Sequence, residues 1–154
     1  MTNNEILLTI RDTFDLNDAK IIDIFSQADY EVTHDQLDGW FKKEFDSSYQ
    51  ACSDTQLTIF LNGLINDKRG KKEGAQPKIE KVLTNNIVFV KLKIALDLRA
   101  DDILDIMTLV KYRISKHELS SLFRKPGHKH YRGCKDQVLN KFLKGVKLKY
   151  SPTP

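Results

Sequence analysis

Apolar residues return every three or four positions along most of this chain, the spacing of amphipathic helices with one buried face. Ile6, Leu7, Ile10 and Phe14 form a first stripe, and Ile21, Ile24, Phe25 and Ala28 predict a second helix over 18–28. Leu37, Trp40 and Phe41 form a third, opened by Thr33-His34-Asp35-Gln36. There a hydroxyl can take an orphan backbone donor and a glutamine can reach back to the cap residue, with Val32 placed as a hydrophobic staple. Leu57, Phe60, Leu61 and Leu64 predict a fourth helix over 54–66, with Asp54 at its positive end.

The same series then occurs again. Val88, Phe89, Leu92 and Leu96 repeat the first stripe, and Ile103, Ile106, Met107 and Val110 repeat the second over 100–110. Leu119, Leu122 and Phe123 follow Ile114 and the capping sequence Ser115-Lys116-His117-Glu118; Leu139, Phe142, Leu143 and Val146 predict the last helix over 136–148, behind Asp136. An offset of 82 residues aligns the halves without a gap. It pairs Asn3-Asn4 with Asn85-Asn86, Tyr49 with Tyr131, Cys52 with Cys134, Asp54 with Asp136 and Gly63 with Gly145. More than a quarter of the aligned positions are identical, so the chain is an internal duplication. The expected fold is all-α: two tandem homologous four-helix units, residues 1–66 and 83–150, packed as one pseudo-twofold body. A unit of this size is marginal alone, and packing against its copy buries more apolar area. Residues 67–82, with Gly70, Gly74, Pro77 and a high charge density, read as a solvated connector, and 151–154 as a flexible tail.

Composition changes this picture only once it is divided. The 154 residues are 40% apolar and 30% charged, with a net charge of +4. Residues 1–66 hold four basic and twelve acidic side chains, a balance of −8, and the rest hold twenty-one and nine, a balance of +12. Such asymmetry steers a basic surface toward a polyanion, or attracts the acidic half of the same or another chain. No apolar run is long enough to cross a membrane, no signal-peptide pattern opens the chain, and two cysteines make no disulfide scaffold; a cytoplasmic location is expected.

Several ordered blocks carry a family resemblance. They are Asn85-Asn86-Ile87-Val88 with Ala95, Leu96 and Leu98; Trp40-Phe41-Lys42-Lys43-Glu44 followed by Tyr49, Cys52 and Asp54; and Phe60 to Ile65 leading to Lys68, Arg69 and Gly70. In order and spacing they resemble the bacterial YehS-like family, small cytoplasmic proteins with two copies of a domain of unknown function. The resemblance spans about residues 3–148. The second copy departs from it at Pro126, where the first has Glu44, and lacks the tryptophan. It implies an all-helical duplicated fold and brings no catalytic residues with it.

No catalytic constellation emerges. His128, His130 and Cys134, with His117 upstream, offer imidazole and thiol ligands. Their spacing matches no common zinc module, and the first copy has Asp46, Ser48 and Cys52 there. A polar turn and buried small thiols at the base of the fourth helix account for them. Asp15 and Asp97 read as caps of the second helix in each unit. No glycine-rich phosphate cradle, His-Glu-x-x-His helix, Gly-x-Ser-x-Gly elbow or Cys-x-x-Cys pair is present, so no cofactor, metal or small-molecule ligand is expected.

Binding is the expected role. The first reading is a non-catalytic protein-interaction or self-associating module, in which acidic and basic halves dock head-to-tail between chains or present opposite surfaces to separate partners. The alternative is a nucleic-acid-binding protein that uses its basic second unit mainly through phosphate contacts. Its candidate residues are Lys68, Arg69, Lys71 and Lys72; Lys116, Arg124 and Lys125 around the third helix of the second copy; and Lys141, Lys144, Lys147 and Lys149 on the last helix. The second and third helices of each unit resemble a helix-turn-helix, although Asp35 and Asp38 in the first copy would repel DNA and Trp40 lies on the core stripe.

Overall fold

The computed structural model describes residues 1–152, and the last two residues of the expected tail lie outside it. Helix ends follow from local chemistry. The Thr2 and Thr84 hydroxyls accept the backbone N–H three residues on and start α1 (Asn3–Thr13) and α5 (Asn85–Ala95). Both helices end in a left-handed residue, Asp15 at φ 51° and Asp97 at φ 54°, with Leu16 and Leu98 N–H bonded back to the Arg11 and Lys93 carbonyls at 2.9 Å. These aspartates therefore terminate the helices before them. Asn17 caps α2 (Asp18–Ser26), accepting from Lys20 N–H at 2.8 Å, and Asp102 accepts from Arg99 N–H at the start of α6 (Ala100–Leu109).

The capping box at α3 (His34–Phe41) forms reciprocally between Thr33 and Gln36. At α7 (Lys116–Leu122) Ser115 accepts from Glu118 N–H, and its hydroxyl donates to the Glu118 carboxylate. Ser53 and Gln56 form a further box at α4 (Asp54–Arg69). That helix runs three residues beyond the expected stretch before Gly70 stops it at φ 86°, and α8 (Asp136–Tyr150) is likewise longer than expected.

Within each unit, α2 crosses α4 and α6 crosses α8 at a glycine. A Cβ on Gly63 would lie 2.0 Å from the Ile24 carbonyl oxygen, and one on Gly145 would lie 2.6 Å from that of Ile106. The glycines recur because the helix backbones nearly touch. Phe25 meets the Tyr30, Trp40 and Phe60 rings, while Phe89 stacks on Phe142 at 4.1 Å. Val32 and Ile114, the expected staples, are buried.

Between units, α4 packs on α5 and α1 packs on α8. Since α1 corresponds to α5 and α4 to α8, this is one contact made twice, and the two four-helix units form a single body. One continuous core runs through both. The repeated Asn-Asn pairs tie each third-to-fourth-helix loop to the first helix of its unit. Asn4 is buried, donates to the Trp40 and Gln50 carbonyls and accepts from Cys52 N–H; Asn86 does the same with Leu122, Arg132 and Cys134. Asn3 donates to Asp54 at 2.7 Å and Asn85 to Asp136 at 2.7 Å. The other oxygen of each aspartate takes a donor from the opposite unit, Leu83 N–H at 2.9 Å and the Met1 nitrogen at 3.3 Å.

Most of the 67–82 connector is exposed, but its middle is tied down to the helices. Residues around Pro77 and Lys78 lie over the α4–α5 seam, where the buried Asn62 amide donates to both their carbonyls. Lys91, only 7% exposed, reaches Asn62 Oδ1 at 2.6 Å, the Lys78 carbonyl at 3.1 Å and Glu80 at 3.3 Å. Burial lowers its pKa below the lysine range, against the pull of Glu80. Asn66 completes the clasp by donating to Gln27 and Gln76.

Candidate binding groove

A groove of about 700 Å³ opens where the C-terminal end of α4, the connector, α5 and the α7–α8 loop meet. Its size falls within the usual range for ligand pockets. The floor is apolar: Ile87, Val90 and Ile94 lie one or two turns apart on the outer side of α5, with Phe123 and Tyr131 beside them. Ile94 is 44% exposed. The rim is basic, formed by Arg69, Lys72, Lys78, Arg124 and Lys125, and the single carboxylate there, Glu80, already faces Lys91. Arg69 pairs with Asp97 at 2.9 Å; the other four rim cations have no carboxylate at ion-pair distance among the described residues.

The duplication supplies an internal reference for this site. Under the same offset, Ile87, Val90 and Ile94 correspond to Glu5, Leu8 and Asp12 on α1. The fold needs no apolar residue at the first and third of those positions, because α1 adopts the same place in its unit with carboxylates there. The apolar floor is therefore particular to the second copy. Reading α5 for its buried stripe alone missed this second stripe on its other side; aligning the two copies position by position reveals it.

Four of the eleven candidate cations, Arg69, Lys72, Arg124 and Lys125, come together around this groove. The others lie elsewhere. Lys68 sits over the Phe14 ring at 4.7 Å, and Lys149 over Tyr150, whose ring meets Phe14 at 5.7 Å. Lys71 is paired with Asp29 at 2.9 Å and Lys116 with Asp101 at 3.0 Å. Lys144 and Lys147 stand exposed on α8, with Lys141 half-buried. Trp40 is 2% exposed and packs against Phe25, a core residue.

The cysteine and histidine cluster has a structural explanation. Cys52 and Cys134 are free and buried, with burial pushing their thiols up to about 12 and about 11. His128 Nδ1 accepts from His130 N–H at 3.0 Å, closing the turn. Among the described residues no group of three or more His, Cys, Asp or Glu side chains is placed to hold a metal ion, and no helix is long and apolar enough to cross a membrane.

Comparison with known proteins gives the same twofold division. Residues 3–70 and 85–151 each match the family model described as "Protein of unknown function (DUF1456)". The chain is 41% identical over 147 residues to "Uncharacterized protein YehS" of Escherichia coli (strain K12), an alignment covering 95% of this chain and 94% of that one. No solved structure matches it.

Proposed function

The chain belongs to the DUF1456 family, carrying its domain twice, and from that premise we propose that it is a non-catalytic binding protein whose second unit receives an acidic, amphipathic protein segment. The observation that carries this reading is the groove itself. Three aliphatic side chains form its floor where the sister copy has two carboxylates, and unpaired cations surround them. Apolar area supplies the attraction, and the rim selects carboxylate-bearing partners and rejects basic ones. The free, protonated thiols suit a reducing compartment such as the cytoplasm.

Selection from a displayed library of short random peptides tests the proposal. Enriched peptides should carry an aromatic or aliphatic residue flanked by Asp or Glu, and Ile94→Asp should abolish their binding. Failure to enrich any such sequence, or equal enrichment on the Ile94→Asp protein, would refute it.

A second reading, nucleic-acid binding through phosphates, rests on a separate observation: the exposed lysines of α8. Replacing Lys141, Lys144 and Lys147 with glutamate should then weaken binding to a labelled duplex. The salt slope should fall by up to about 0.9 per lost phosphate contact. Absence of any anisotropy change with wild-type protein at low salt would remove this reading.

A further inference from the structure

We infer that the segment seated in the groove is Phe45 and its flanking carboxylates from a second copy of this chain, so that the protein associates head-to-tail; this rests on the groove being a protein-binding site. Phe45 lies in the loop between α3 and α4 and is 89% exposed, more than any other large apolar residue described. Single exposed apolar residues are ordinary, but this one is presented by an ordered turn. Asp46 N–H bonds to the Lys43 carbonyl at 2.9 Å, Ser48 N–H to Asp46 Oδ1 at 2.8 Å, and Gln50 N–H to the Gly39 carbonyl at 2.9 Å. Glu44 and Asp46, both exposed, flank it in sequence.

The two copies differ at this loop in a complementary way. The residue corresponding to Phe45 is Gly127, which has no side chain to present, and that corresponding to Glu44 is Pro126, which lines the groove. Thus the first unit carries a projecting ring and no apolar groove floor, while the second carries the floor and no ring. An aromatic side chain flanked by carboxylates fits a floor of Ile87, Val90, Ile94 and Phe123 bordered by Lys72, Arg124 and Lys125. The wider field agrees, since the unit bearing Phe45 holds the whole of the −8 balance and the groove unit most of the +12. The 89% exposure also shows that Phe45 does not occupy the groove of its own chain. Because the two surfaces differ, the contact is heterologous and repeats along a row of molecules or closes a ring.

Sedimentation velocity over a concentration series tests the inference on the intact chain. Wild-type protein should show larger species as concentration rises, and added salt should dissociate them. Phe45→Asp and Ile94→Asp should each weaken association by roughly thirtyfold or more, the level of an interface hot spot. Both substitutions are at exposed side chains and should leave the fold intact, which circular dichroism of each variant checks.

Mixing the two variants is decisive, because each retains the surface the other lacks. An equimolar mixture should form a dimer and stop there. Wild-type protein that stays monomeric, variants that associate as wild type does, or a mixture that stays monomeric would each overturn the inference. If those results came with peptide binding that Ile94→Asp still abolishes, the groove would serve a foreign partner. Loss of that peptide binding as well would remove the groove reading itself.

Discussion

Replacing Gly63 with alanine asks whether the α2–α4 crossing is as tight as its geometry indicates. The new Cβ would sit 2.0 Å from the Ile24 carbonyl oxygen, 2.8 Å from the carbonyl carbon and 3.1 Å from Ile24 Cγ2. Carbon and oxygen need more than about 3 Å, so the helices must separate by roughly 1 Å, and the obstacle is backbone that cannot rotate away. Overpacking of this kind costs about 1–3 kcal/mol and sometimes more, while alanine returns about 1 kcal/mol of helix propensity. The obstruction is near the severe end, so the net expected loss is about 2 kcal/mol. At about 2–4 °C per kcal/mol for a chain of this size, the melting temperature should fall by roughly 4–8 °C. Gly145→Ala meets the Ile106 oxygen at 2.6 Å and should lose less. Gly133→Ala has nothing within 4 Å and serves as the neutral control. Thermal melts followed by helical circular dichroism would rank the three. A Gly63→Ala protein as stable as wild type, or more stable than Gly145→Ala, would refute the close-crossing argument.

Asn4→Ala removes an amide that satisfies the Trp40 and Gln50 carbonyls and Cys52 N–H, and should cost about 3 kcal/mol in urea unfolding, with Asn86→Ala behaving alike. Lys91→Met leaves Glu80 and Asn62 without their cation, so trypsin should cut the 70–82 segment faster than in wild type. Burial opposes ionisation of Asp67, but hydrogen bonds from Lys20 and Gln27 hold its pKa below the usual value near 4. Its contribution is therefore complete above that value and disappears as pH falls through the lowered one. Asp67→Asn should flatten part of the acid limb of a stability–pH curve measured from pH 7 to 2. The thiols should react with Ellman's reagent at pH 8 only upon unfolding, because their pKa values are pushed up to about 12 and about 11.

What the sequence conveyed was mostly what helical periodicity and duplication can carry. Stripes such as Leu57, Phe60, Leu61 and Leu64 located a core helix because burial imposes a 3.6-residue period. The caps at Thr33 and Ser115 were legible because their partners lie three residues away. Asp15 and Asp97 end the helices before them instead of capping those that follow, because an aspartate between two helices suits either end and only the left-handed backbone decides. Nothing in the sequence marks Lys91 as buried, because its partners Asn62 and Glu80 reach it only through the fold. Within the groove, Arg124 and Lys125 were visible as charges, but Arg69 and Lys72 join them only through the way α5 is laid against α4. The aliphatic floor was present in the sequence throughout, hidden by attention to the buried stripe alone.

The repeated packing of α1 on α8 and α4 on α5 has a further consequence. In a homodimer with this arrangement, one coding position would write the same residue on both sides, and any surface change would appear twice. Covalent fusion removes that obligation while retaining the symmetric frame. Glu5 and Asp12 can remain carboxylates while their counterparts Ile87 and Ile94 become aliphatic, and Phe45 can project where Gly127 has no side chain. A symmetric scaffold thereby gains direction: it has a front and a back, and it can be read from one end to the other.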